Sequence, residues 1–277
     1  MASTSVRTSS EKAERVARLR QAFAAARAEG WSALVVYWPV GLPSPRGTAD
    51  AVLHLIDAGA DVLELGVPFS DPLADGPVLQ RAAQRALAEG TTWVDVVATV
   101  RAVRGATCVP IVIFSYLNPL WRAGLARALA EVANAGAEGV LLVDAPVGVD
   151  PDLDALLARG PLARVPLVAP TTAHARRPVI AQAAEGFLYC LSRTGVTGTH
   201  AGPESIAREV ADLRGLTAAP IAVGFGIAQP EDAARVGRWA DGVVVGSAVV
   251  DAWERGGMAA AVDFVRALRT ALRTGDS

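Results

Sequence analysis

The sequence predicts an α/β fold of the (β/α)8 barrel class with an extra N-terminal helix. Three observations carry this expectation. Short, wholly apolar runs bounded by Gly, Pro or Asp recur about eight times along the 277 residues. Longer Ala/Leu/Arg segments with helical spacing separate them, and no composition shift or long linker interrupts the alternation. Runs that are apolar throughout suit strands buried on both faces of a parallel sheet, and eight βα units in roughly 250 residues is the count of a TIM barrel. A doubly wound open sheet is the alternative that the same alternation allows.

In chain order, Met1–Ser10 is Ser/Thr-rich and is expected to fray, leaving residues 11–273 as one barrel domain. Glu11–Glu29 has amphipathic spacing and is the extra helix. The expected strands are Ala33–Tyr37, Val62–Leu65, Pro110–Phe114, Gly139–Val143, Val165–Ala169, Gly186–Tyr189, Pro220–Val223 and Gly242–Val245. The expected helices include Thr48–Ala58, Leu125–Ala135, Ile206–Leu213, Glu231–Trp239 and Met258–Leu272. Pro203-Glu204-Ser205 and Pro230-Glu231-Asp232 put proline and acids in a first helical turn, where the missing N–H costs nothing and the dipole favours negative charge. Asp57-Ala-Gly-Ala60 and Asn134-Ala-Gly-Ala137 put glycine where a left-handed C-cap is needed.

With 52% hydrophobic and 19% charged residues, the chain can bury a sizeable core. A net charge of −2 argues against nucleic acid or an anionic membrane as partner. No apolar run approaches the ~18 residues of a membrane span. Met1–Ser10 lacks the apolar stretch of a secretory signal. Cys108 and Cys190 lie far apart, which points to a reducing cytoplasm rather than a structural disulfide.

In a barrel, chemistry gathers in the βα loops at the C-terminal ends of the strands. The stretch Glu64-Leu-Gly-Val-Pro-Phe-Ser-Asp-Pro-Leu-Ala-Asp75-Gly-Pro77 follows expected strand two and is longer than a βα turn needs. Glu64 lies inside an apolar run, so its carboxylate is either paired or holds its proton unusually tightly. A structural Glu bonded to nearby backbone is the competing reading. Asp71, before Pro72, reads as a turn residue; Asp75, before Gly76, reads equally as turn or function. A second cluster follows the last three strands: Ser192-Arg-Thr-Gly-Val-Thr-Gly198, Gly224-Phe-Gly226 and Gly246-Ser247. Glycines let backbone N–H groups approach oxygens, and a helix N-terminus offers unpaired donors, so this pattern points to a phosphate site. Tyr116, Asn118 and Tyr189 either line a pocket or pack, and Asp144 is as readily structural as functional. Trp38, Trp93, Trp121, Trp239 and Trp253 read mostly as packing. His54, His174 and His200 lack metal-ligand spacing.

A phosphate grip plus two carboxylates suggests isomerase or lyase chemistry on a sugar phosphate. The single lysine, Lys12, lies in the N-terminal segment, so a Schiff-base mechanism at a barrel strand lacks its nucleophile. Clustered zinc ligands are also missing from the sequence, which leaves proton transfer without a cofactor.

The Glu64–Pro77 stretch resembles the signature of the tryptophan synthase α-chain family. Gly195-Val-Thr-Gly198, Gly224-Phe-Gly-Ile227 and Gly246-Ser-Ala248 match in order, and the similarity runs from about Ala33 to Trp253. The resemblance implies cleavage of indole-3-glycerol phosphate to indole and glyceraldehyde 3-phosphate, without cofactor. It implies Glu64 as the acid/base at indole C3 and the glycerol hydroxyl, and Asp75 as the group that holds the indole N–H. Tyr189 would support the reacting region, and Thr197 would help its loop close over Asp75. Gly198, Gly226, Gly246 and Ser247 would hold phosphate, while Tyr37, Tyr116 and Phe225 would border the indole or glycerol moiety. The family also implies a β chain as partner in an α2β2 complex; a free-standing lyase, a catalytically poor activator of a β chain and a phosphosugar isomerase are the rival readings. Two motifs depart from the family pattern: Pro39-Val-Gly-Leu-Pro43 lacks the aspartate common after strand one, and Asp144-Ala-Pro-Val-Gly-Val149 lacks an acid pair.

Overall fold

The computed structural model describes residues 2–191, 203–224 and 226–274. Helix α1 (Ala2–Ala28) leads into β1 (Ala33–Pro39), α2 (Thr48–Asp57) and β2 (Val62–Gly66). After β2 come α3 (Pro77–Ala88), α4 (Trp93–Ala106), β3 (Ile111–Ser115), α5 (Leu117–Arg122), α6 (Leu125–Ala135) and β4 (Gly139–Leu142). Then follow α7 (Pro151–Arg159), β5 (Ala163–Arg164), β6 (Leu167–Val168), α8 (Arg177–Gln182) and β7 (Leu188–Leu191). The chain ends with α9 (Pro203–Arg214), β8 (Ile221–Gly224), α10 (Pro230–Gly237), β9 (Gly242–Val245) and α11 (Ser247–Thr274).

Among the described residues nine parallel strands form one sheet in the order β5-β4-β3-β2-β1-β9-β8-β7-β6. The two outermost members, β5 and β6, are separated in the chain by Val165 and Pro166 alone. They are two halves of the fifth barrel strand, and this closes the ring. Val165 N–H donates to Val140 O on the β4 side (3.0 Å), and Pro166 O accepts from Tyr189 N–H on the β7 side (3.0 Å). The sequence predicts one strand over Val165–Ala169; the structure places it earlier and divides it, because Pro166 has no N–H to give to a ladder. The expected fold class holds: a barrel of eight strand positions with helices outside and a helix before β1.

Side chains alternate across the strands with period two. Leu34, Val36, Trp38, Leu63 and Leu65 pack toward the outer helices. Ala33, Val35, Val62, Val112, Leu141 and Val244 form a second cluster inside the barrel. Helix α1 closes the N-terminal end of that interior with Leu19, Phe23 and Ala26, and the rings of Phe23 and Phe187 stand 5.2 Å apart. It starts earlier than the amphipathic pattern implies, and so reaches into the segment expected to fray. Arg18 pairs with the fully buried Glu138 (3.2 Å), which also pairs with Arg104 (2.7 Å) and accepts from Ile111 N–H. Lys12 donates to Leu157 O and Ala158 O, at the C-terminus of α7, and pairs with Glu185. The single lysine is therefore a tie between α1 and the barrel wall. Truncating Phe23 to Ala is expected to cost about 3–5 kcal/mol in a urea unfolding experiment, because the plug loses a buried ring.

The cap signals place the helix ends well. Gly59 and Gly136 have φ of 124° and 119°, as C-cap glycines require. Pro230 opens α10 behind a capping box formed by Gln229 and Asp232. The last helix begins at Ser247 rather than Met258, with a break at Gly256 and Gly257, where φ reaches 70°. Its first segment, up to the break, is the short helix that follows the eighth strand position.

Candidate active site

The inward row of each strand continues past the apolar interior to the C-terminal rim, and the site is built there. Glu64 points inward two residues beyond Val62 on β2. It is 1% exposed, and neither carboxyl oxygen has a hydrogen-bond partner among the described residues. Burial raises its pKa from 4.5 to about 8, since nothing compensates the charge for lost water. The alternative of a structural Glu bonded to backbone is thereby set aside.

The loop after β2 brings Asp75 back over the same cavity. Its geometry is held by Asp75 N–H donating to Pro72 O (3.0 Å), Gln80 Nε2 donating to Asp75 O (2.9 Å) and Ala74 N–H donating to the Tyr116 hydroxyl (2.9 Å). Burial raises the Asp75 carboxyl to about 6, and a hydrogen bond from Tyr116 pulls it partly back. Tyr116 is itself pushed up to about 12, first by burial and then by the Asp75 charge. Its ring lies 5.2 Å from that of Phe69 on the same loop as Asp75. Asp71 is an exposed turn residue, accepting from Ser70 Oγ at 2.5 Å.

Two more phenols border the cavity. Tyr37 on β1 is in register with Glu64 and meets Phe114 edge-on at 5.2 Å. Tyr189 on β7 is buried, and burial raises its hydroxyl well above the usual value, with the Glu64 charge adding to the shift. Each phenol lies over a glycine of the next strand: a Cβ on Gly66 would overlap the Tyr37 hydroxyl, and one on Gly224 would overlap that of Tyr189. Gly66→Ala is therefore expected to displace the Tyr37 ring. A crystal structure of the variant should show that movement, with turnover reduced at least tenfold.

On the same cavity, Gly226 takes a φ of 79°, which favours glycine, and Gly246 precedes the first turn of α11. Gly246 O accepts from Val249 N–H and Val250 N–H, so the N–H groups of Ser247 and Ala248 have no intrahelical acceptor. No acidic residue stands in that turn. Tyr37, Glu64, Asp75, Tyr189, Gly226, Gly246 and Ser247 all line a single cavity of about 340 Å³. Tyr116 stands behind Asp75 rather than on the wall. Thr197, Gly198 and Phe225 lie outside the described residues, as does His200.

Sequence reasoning missed the apolar wall, which includes Phe114, Val143, Leu167, Leu191 and Val244. A signal for it existed: several of these residues lie two places beyond an interior residue on the same strand. Asp144 proves structural, since its Oδ1 accepts from Leu117 N–H (2.7 Å) at the start of α5. His54 and His174 are exposed, and no group of three potential metal ligands occurs among the described residues. Trp38 and Trp253 pack edge-to-face at 5.9 Å, whereas Trp121 is 63% exposed and is not a packing residue.

Comparison with known proteins decides what this arrangement is. The family model "Tryptophan synthase alpha chain" matches residues 23–272. The chain belongs to the tryptophan synthase α-chain family. It is similar to the tryptophan synthase alpha chain of Rhizorhabdus wittichii, with 46% identity over 261 residues that cover 92% of this chain and 96% of the relative. The Neisseria meningitidis alpha chain is 45% identical over 264 residues, covering 93% of this chain and all of the relative. The solved tryptophan synthase alpha subunit of Legionella pneumophila superposes with a TM-score of 0.83 at 34% identity, covering 92% and 98% of the two chains. A tryptophan synthase structure from Mycobacterium tuberculosis, an open form, gives 0.84 at 31% with the same coverage.

As a member of the tryptophan synthase α-chain family, the protein is a carbon–carbon lyase of tryptophan biosynthesis that cleaves indole-3-glycerol phosphate. Its two departures from the usual α-chain motifs are internally braced. After β1, Trp38 Nε1 donates to Leu42 O and Gly41 N–H donates to Thr48 Oγ1, both at 2.9 Å, so that loop is held without an acid. After β4, Gly148 N–H donates to Asp154 (2.7 Å). Among the described residues, no helix is long and apolar enough to cross a membrane.

Proposed function

We propose that Glu64 carries the protons of the cleavage and that Asp75 orients the indole. Glu64, protonated at neutral pH, gives its proton to indole C3, and the ring becomes an indolenine whose nitrogen draws electrons. The resulting Glu64 carboxylate takes the proton of the glycerol hydroxyl next to the ring. The bond between C3 and the side chain then breaks, its electrons rearomatise the indole, and the hydroxyl carbon becomes the aldehyde of glyceraldehyde 3-phosphate. Glu64 ends protonated, so the cycle closes without a cofactor. Asp75, ionised, accepts the indole N–H and stabilises the positive charge that develops there. Gly226, Gly246 and Ser247 receive the phosphate with the free N–H groups at the start of α11, joined by Gly198. Tyr37, Tyr189 and Phe225 border the ring and side chain, Tyr116 fixes Asp75, and Thr197 assists closure of its loop.

The observation that carries this reading is that a buried carboxyl without a hydrogen-bond partner among the described residues, a second carboxylate and a helix N-terminus all line one cavity. We further infer that one barrel domain over residues 11–273 does this work in the cytoplasm, paired with a β chain in an α2β2 complex. The alpha-chain names of its relatives support the pairing. So does Leu73, 91% exposed on the loop that carries Asp75. The test is indole release from indole-3-glycerol phosphate by the purified chain, alone and with a β chain. Slow cleavage that a β chain accelerates is expected. Rapid cleavage by the chain alone, unchanged by a β chain, would make it a free-standing lyase; no cleavage in either case would refute the assignment.

A further inference from the structure

The Glu64 carboxyl must change charge during the reaction, yet nothing among the described residues donates to it in this state. Its carboxylate form needs a donor that lies close without binding the neutral acid. The titratable groups facing it are Tyr37 on β1, Asp75 on the β2–α3 loop and Tyr189 on β7, with Tyr116 behind Asp75. The other lining groups among the described residues are apolar, glycine or Ser247. Asp75 is no donor once ionised, and Tyr116 already serves Asp75. Ser247 opens α11, where the phosphate is proposed to sit, so among the described residues two phenols are left, and their seats differ. The Tyr189 hydroxyl lies over Gly224, on β8. The Tyr37 hydroxyl lies over Gly66, on the same strand as Glu64 and on the same face, two residues along. Two residues of strand rise amount to about 6.6 Å, a gap that a glutamate side chain spans by bond rotation.

Resting on the reading of Glu64 as proton carrier, we infer that the Tyr37 hydroxyl is a positioning residue for this lyase, the hydrogen-bond donor that receives the Glu64 carboxylate after C3 is protonated. Several features hold the phenol in place. Phe114 meets its ring edge-on at 5.2 Å, Gly66 leaves room for the hydroxyl, and Gly246 leaves room at the Tyr37 Cβ, where an added methyl would come within 3.1 Å. Burial acts most on this phenol, and the charges of Asp75 and Glu64 both reach it; they reach Tyr189 as well, so it is the seat over Gly66, on the strand of Glu64, that distinguishes Tyr37. The cavity wall here thus supplies a donor that is fixed in position and makes no hydrogen bond to another of the described residues.

Tyr37→Phe tests this, since it removes the oxygen and keeps the ring contacts. A carboxylate that loses a charged hydrogen bond becomes a stronger base by roughly one to two pH units. The alkaline limb of the kcat/KM–pH profile should move up by that amount, with kcat reduced about tenfold and KM little changed. The Glu64 carboxyl titration, followed by 13C NMR in the same variant, should move with it. Tyr189→Phe is the comparison, and its shift should be smaller. An unmoved limb and titration in Tyr37→Phe would overturn the inference, as would an equal or larger shift in Tyr189→Phe. The NMR titration reads the Tyr37 contact whether or not Glu64 is the proton carrier, so failure here and failure of the Glu64 assignment give different results.

Discussion

Glu64→Gln is expected to reduce cleavage of indole-3-glycerol phosphate by about a thousandfold or more, with binding of a phosphate-bearing substrate analogue retained. The amide keeps the shape of the side chain and cannot deliver or take the proton, and positioned acid/base groups contribute roughly 10²- to 10⁴-fold. The residues proposed to hold phosphate are untouched, so Kd for the analogue should change less than threefold. The same substitution carries a thermodynamic signature. Below pH 4.5 the Glu64 carboxyl is protonated in both the folded and the unfolded chain and costs nothing. Between 4.5 and about 8 only the unfolded chain ionises, so wild-type stability falls as pH rises, by on the order of 5 kcal/mol in all. Above about 8 this loss levels off. Urea melts should show a steeper fall in the wild type than in Glu64→Gln, most clearly between about 6 and 8, above the range in which Asp75 contributes a fall of its own. A variant that keeps near-wild-type turnover, or an unchanged slope, contradicts the role given to Glu64.

Asp75→Asn is expected to lower kcat/KM about a hundredfold, because the carboxylate proposed to hold the indole nitrogen is replaced by a neutral group. In the wild type, two opposite requirements meet. Asp75 must be ionised, which holds above about 6, and Glu64 must be protonated, which holds below about 8. The kcat/KM profile should therefore be a bell, with an acid limb near 6 and an alkaline limb below about 8 by what the Tyr37 donor contributes. Removing the Asp75 carboxyl should erase the acid limb and leave the alkaline one. Survival of the acid limb in Asp75→Asn would assign it to another group and remove Asp75 from the mechanism. The proposed roles need opposite protonation in one cavity, and the surroundings differ accordingly: Glu64 has burial alone, while Asp75 has Tyr116 to support its charge.

Several elements of this account are legible in the sequence for physical reasons. β9 is Gly242–Val245 and α6 is Leu125–Ala135, as their period and flanking glycines indicate. Glu64 stands out because an acid in a wholly apolar run has few ways to exist, and the glycines after the last strands stand out because their backbone freedom is rare. What the sequence conceals is long-range. The support of Asp75 by Tyr116 joins two loops about forty residues apart, and neither residue type announces the pairing. The seating of Tyr37 over Gly66 depends on strand register, which only the closed sheet defines. The division of the fifth strand at Pro166 was visible as a proline, but its consequence, a change of partner from β4 to β7, needed the ring to be closed.

The central claim is that Glu64 enters the reaction as a neutral acid held by burial. Its carboxyl carbon, labelled with 13C-glutamate and assigned by its loss in Glu64→Gln, can be titrated directly by NMR in the resting enzyme. Burial alone puts the midpoint near 8, and a Tyr37 hydrogen bond to the ionised form lowers it by roughly one to two units, so the wild type should titrate well above 4.5 and Tyr37→Phe near 8. A midpoint near the ordinary 4.5 would mean that Glu64 is already ionised at neutral pH, and would contradict it.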